Sequence, residues 1–131
     1  IMFVGTWLDQ PSTSVNNALA NSTLTIYITE LYGRVNLGEG LLTTYGPEIL
    51  SFLFISSPLL SRNARTELVR RFEALKKREV FPLLTEIQQS DRRALDEVIF
   101  DEIGLTQGER EAVYEAVVEL VRARLEKAQS V

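Results

Sequence analysis

The sequence predicts an α+β fold. A small, mostly antiparallel sheet of short strands, with one helix in the N-terminal half, precedes a C-terminal helical subdomain of three to four helices. Three observations predict it. Residues 1–60 are dense in β-branched and aromatic side chains and hold a single basic residue, Arg34. The next stretch supplies seven basic residues, Arg62, Arg65, Arg70, Arg71, Lys76, Lys77 and Arg78, against Glu67 and Glu73. Beyond it the chain is charge-rich, and its apolar residues recur at three- and four-residue steps, the period of a half-buried helix. The division falls near residue 60, into a mixed part over 1–60 and a helical tail over 61–131 that together make one compact unit.

Ile1–Leu8 reads as a buried strand stopped by Asp9, Gln10, Pro11 and Ser12, with Trp7 as core filling. From Ser14 to Leu31 the apolar spacing predicts one helix, capped by Ser12 or Ser14 and stopped by Gly33. The crowd of β-branched residues from Thr23 to Thr29 keeps a strand open as the alternative. Arg34–Gly40 reads as a loop, then Leu41–Tyr45 and Ser51–Ile55 as strands around a Gly46-Pro47-Glu48 turn. Ser61 or Asn63 caps a helix running to about Glu79 that buries Leu68, Val69, Phe72 and Leu75. Pro82 opens or interrupts a short segment through Ile87. Ser90 or Asp91 starts a helix that turns Leu95, Val98, Ile99 and Ile103 inward and ends at Gly104. Thr106-Gln107-Gly108-Glu109 has the form of a capping box, so the last helix starts there and buries a stripe from Val113 to Leu125.

Composition removes several classes of chemistry. With no Cys and no His, disulfides, thiolate metal sites and Ser-His-Asp or Cys-His catalysis are excluded. At 45% hydrophobic and 24% charged residues the chain is globular rather than disordered, and its longest apolar run, Ile49–Leu60, is interrupted by serines and Pro58. The opening Ile1 carries no basic leader, and the expectation is a piece of a longer protein.

Gly38-Glu39-Gly40 lacks the third glycine of a dinucleotide fingerprint, since position 43 is Thr43, and no Gly-Lys-Ser/Thr triplet occurs. Asp96, Glu97, Asp101 and Glu102 read either as a divalent-cation cluster or as an acidic helix face. Arg62, Arg65, Arg70, Arg71 and Lys77 read either as a solvated face laced by Glu67 and Glu73 or as a row of phosphate contacts. Arg34, beside flexible glycines, suits a phosphate or a guanine edge, or a carboxylate partner such as Glu30 or Glu39. No residue stands out as catalytic, metal-ligating or cofactor-binding.

The run Asn21-Ser22-Thr23 entering an apolar segment, and then Gly33-Arg34-Val35-Asn36-Leu37-Gly38-Glu39-Gly40-Leu41, resembles the C-terminal, target-recognition-associated region of adenine-specific DNA methyltransferases of restriction-modification and phage-defence systems. Pro58 and the tail residues Asp96, Phe100, Gly104, Leu105 and Thr106 extend the likeness over most of the chain. Thr43 stands where the family often has Lys, and the Gly46-Pro47-Glu48 turn has no basic residue. The family's Pro-Pro catalytic loop and its glycine-rich S-adenosylmethionine loop are both missing from these residues.

The resemblance implies a non-catalytic domain of a cytoplasmic enzyme. Its partners would be double-stranded DNA and its own catalytic domain, with S-adenosylmethionine bound elsewhere in the parent. On that reading Arg34, Gly38, Gly40, Arg62, Arg65, Arg70, Arg71 and Lys77 would face DNA. The alternative is a protein-interaction or structural helical module that docks on its own catalytic domain or on a partner subunit.

Overall fold

The computed structural model describes residues 14–35, 42–43 and 55–130. Six helices cover most of them: α1 (Ser14–Ala20), α2 (Thr23–Tyr32), α3 (Arg62–Leu75), α4 (Leu83–Glu86), α5 (Ser90–Glu102) and α6 (Gln107–Gln129). A 3-10 turn at Ser57–Leu59 leads into α3. Among the described residues no helix is long and apolar enough to cross a membrane.

The predicted α+β class is overturned, because the described architecture is helix packed on helix. The one ladder among the described residues pairs Arg34–Val35 antiparallel with Leu42–Thr43, placing Arg34 opposite Thr43 and Val35 opposite Leu42. Two residues per strand and two strands fall short of the three or more strands with an apolar face that make an independent layer. Arg34 and Val35, read as loop from the sequence, belong to this ladder. The predicted strand at Ile1–Leu8, the rest of Leu41–Tyr45 and Ser51–Phe54 lie outside the described residues. So does the Gly46-Pro47-Glu48 turn.

Helices supply the layers instead. Helix α1 and helix α5 both pack on α3, and α2 packs on α6. The largest core joins Ala18 and Leu19 of α1 to Ala64, Leu68, Phe72 and Leu75 of α3 and to Leu95 and Ile99 of α5. A second cluster sets Ile26 of α2 against Val117 and Val121 of α6, and a third joins Ile87, Phe100 and Tyr114. The Phe100 and Tyr114 rings meet edge to face at 5.9 Å, the arrangement their quadrupoles favour.

The single helix predicted over residues 14–31 is two. Asn21 and Ser22 break it because their side chains compete for the backbone groups a helix would use. Asn21 Nδ2 donates to the Asn17 carbonyl at 2.7 Å and Ser22 Oγ to that of Leu19 at 2.7 Å. Ser22 then accepts the Thr25 N–H at 3.2 Å as the N-cap of α2. The β-branched threonines that left a strand open as the alternative fit the helix through their hydroxyls, Thr25 donating to the Leu19 carbonyl and Thr29 to that of Thr25.

In the tail the local signals act as read. Ser61 caps α3 by accepting the Ala64 N–H, although the helix ends at Leu75 rather than near Glu79. Gly104, at φ +73°, closes α5. Its N–H reaches the Asp101 carbonyl and that of Leu105 the Phe100 carbonyl, the paired bonds of a Schellman ending. Thr106 and Glu109 then form both halves of the capping box.

Candidate functional site

The basic run of the sequence divides in space. Arg62, Arg65, Arg70 and Lys77 are exposed along and just beyond α3, while Arg71 is half-buried. With about 3.6 residues per turn, Arg62, Arg70 and Lys77 fall opposite the buried Ala64, Leu68 and Leu75. Glu67 receives the Arg70 fork at 3.1 and 2.7 Å and lies 3.4 Å from Arg71 Nε. The Arg70 hydrogen bond holds the Glu67 carboxyl below its ordinary value. Lys76 turns to Glu73 at 2.8 Å and to the Phe72 ring. Arg62, Arg65 and Lys77 enter no ion pair among the described residues.

Of the remaining predicted site residues, Arg34 contributes its backbone to the short ladder. Gly38 and Gly40 lie outside the described residues. Glu30, one carboxylate considered for Arg34, is gripped by Arg124 of α6 at 2.9 and 2.7 Å.

A second constellation was missed by the sequence reading. Arg92 and Asp96, one turn apart on α5, are both fully buried, as is Glu86 at the end of α4. Asp96 accepts the Thr23 N–H at 2.8 Å, the Thr23 hydroxyl at 2.6 Å and the Tyr114 hydroxyl at 3.0 Å. Arg92 donates to Glu86 at 3.1 Å and to the carbonyl of Asn21. Glu86 also takes two bonds from Arg78, each at 2.9 Å, and the Phe81 N–H at 3.0 Å. Arg78 in turn forks onto Asp91 at 2.7 and 2.8 Å. The helical spacing of Arg92 and Asp96, in phase with Leu95 and Ile99, was the available signal. A rule that turns only apolar residues inward passes over it.

Burial sets the electrostatics here. Desolvation pushes the Asp96 carboxyl above its usual range, against Arg92, Thr23 and Tyr114, which favour the charge. Burial, and then the neighbouring Asp96, drive the Tyr114 phenol up, so it keeps its proton and donates. For Glu86, burial pushes upward, but the Arg78 fork, the Phe81 N–H and Arg92 together hold it below the ordinary value. The Arg78 fork lowers Asp91 as well. Closed to solvent, Asp96 filled by protein donors and Arg92 by protein acceptors, the two side chains act as joints between helices.

The acidic cluster read from the sequence disperses. Asp96 is buried, Asp101 pairs with Arg110 at 2.7 Å, and Glu102 accepts the N–H and hydroxyl of Ser61. Among the described residues no group of three acidic side chains is placed to hold a metal ion. Comparison with protein-family models, with characterised proteins and with solved structures gives no match to this chain.

Proposed function

We propose that this chain is a non-catalytic DNA-positioning domain of an adenine-specific DNA methyltransferase of a restriction-modification or phage-defence system. The parent would act in the cytoplasm, with S-adenosylmethionine bound outside these residues. The reading of the family rests on the sequence resemblance, and one structural observation supports the DNA contact. Arg78, Arg92, Arg93, Arg110, Arg122 and Arg124 are each held by a carboxylate, whereas Arg62, Arg65 and Lys77 present their charge to solvent along one helix. Helix α3 is about 21 Å long. A duplex carries one negative charge per roughly 1.7 Å of axis, so phosphates are in ample supply over that length.

Fluorescence anisotropy with duplex DNA over a salt series tests the proposal. If Arg62, Arg65 and Lys77 each neutralise a phosphate while Arg70 stays on Glu67, log K falls with log salt at a slope of about −2.7, or roughly 0.9 per contact. Replacing Arg62, Arg65 and Lys77 by Gln flattens the slope by about 2.7 while leaving the melting temperature nearly unchanged. No binding at low salt, or an unchanged slope, overturns the assignment.

The alternative module, docked on its own catalytic domain, is favoured by a different observation. Leu31 and Tyr32 at the end of α2, and Leu125 on the α6 to which α2 is packed, are 46%, 48% and 45% exposed. On this reading Leu31→Gln with Leu125→Gln weakens co-purification with the catalytic domain and leaves DNA binding alone. Undiminished co-purification excludes it.

A further inference from the structure

The connection from α3 into the first residues of α4 carries Val80-Phe81-Pro82-Leu83-Leu84, of which Leu83 packs inward while Phe81, Pro82 and Leu84 are exposed. An exposed phenyl in a connection normally changes rotamer freely; this one has its backbone tied down and a cation set against its ring. The Phe81 N–H is bonded to Glu86, and the Arg78 guanidinium lies 5.1 Å from the ring centroid. Arg78 is itself fixed by forks onto Glu86 and Asp91, and Glu86 is tied through Arg92 to the buried start of α2. Phe81 is 39% exposed, so these contacts present it at the surface.

We infer that Phe81, supported by Leu84, is an apolar wedge that packs against the bases of a duplex whose phosphates are held by Lys77 and the exposed cations of α3. The inference rests on the DNA reading above. Lys77 precedes the turn directly, and Glu79 is the one exposed carboxylate between it and Leu84. Phe, Leu and Pro are the side chains that proteins press between base steps, partly unstacking them. Extrusion of a target base also requires support of the flanking duplex. Fixing the ring beforehand lowers the ordering cost of such a contact.

A duplex with 2-aminopurine substituted at successive positions reports the wedge, because this base brightens when unstacked. Binding of the whole chain brightens one step. Phe81→Ala weakens binding about tenfold and abolishes that signal, yet leaves the slope of log K against log salt as in the parent, since no charge is lost. Phe81→Leu keeps an apolar side chain at the site, restores part of both effects, and serves as the variant of record should Phe81→Ala not fold. Normal affinity and normal brightening in both variants overturn the wedge and leave the DNA reading standing. Absence of salt-dependent binding by the parent chain overturns both.

Discussion

Asp96 accepts both the backbone N–H and the hydroxyl of Thr23, a residue 73 positions earlier, while Tyr114 donates to the same carboxylate. Three helices, α2, α5 and α6, therefore meet on one buried side chain.

Thr23→Val keeps the shape of the side chain and removes one donor, and Tyr114→Phe removes another. Each leaves a buried carboxylate short of a partner, at a cost of about 1–3 kcal/mol. The double variant departs from the sum of the two by about 0.5 kcal/mol or more, because both act on one group. Urea midpoints at constant m-value measure all three.

Arg92→Met removes the cation from between Glu86 and Asp96 and destabilises by about 3–5 kcal/mol. Arg92→Lys recovers little, since a single ammonium does not reproduce a fork that reaches both Glu86 and the Asn21 carbonyl. Thermal melts of both variants beside the parent decide this.

The acid limb of stability follows from Glu86 and Asp91, whose carboxyls are held below their ordinary values of 4.5 and 3.8. A depressed carboxyl contributes stability above its unfolded value and loses it as pH falls through the folded one. Stability should therefore drop as pH goes from about 5 to about 3. Asp96, raised above 3.8 by burial, works the other way, because there the native state binds the extra proton more tightly. Glu86→Gln is less stable at neutral pH and has a shallower acid limb, read from denaturation midpoints across that range. An acid limb as steep as the parent's would contradict the role given to Glu86.

Two glycines separate backbone conformation from space. A methyl group at either Gly104 or Gly108 would meet nothing within 4 Å, but only Gly104 has positive φ, at +73°. Gly104→Ala destabilises by about 1–2 kcal/mol, the cost of a left-handed L-residue. Gly108→Ala, in the first turn of α6, stabilises by up to about 1 kcal/mol through helix propensity. Opposite signs in the two melting temperatures are the expected result.

What could be read from the sequence was what neighbouring residues decide. The capping box at Thr106–Glu109, the cap at Ser61 and the stop at Gly104 are each settled within one turn of helix. The stripe of α3 was readable for Leu68, Phe72 and Leu75, because periodicity encodes a face. Ile103 and Leu125 were read as inward and are exposed, Ile103 as the cap residue just past the end of α5. The fold class failed because it was built on short strands at Ile1–Leu8, Leu41–Tyr45 and Ser51–Ile55, of which only Leu42–Thr43 is strand among the described residues, while six helices supply the packing layers. Burial of Arg92 and Asp96 depends on Asn21 and Thr23, some seventy positions away, beyond the reach of any local rule.

The Asn21-Ser22-Thr23 break also bears on how this sequence can drift over time. Asn21 and Ser22 bond locally through their side chains, but Thr23 is bound to Asp96 and the Asn21 carbonyl to Arg92 in the other half of the chain. A change at position 23 that removes a donor to Asp96 is offset by a compensating change at 96 or 114. Among descendants of this chain those three positions should therefore vary in concert, while the surface cations of α3 vary one at a time.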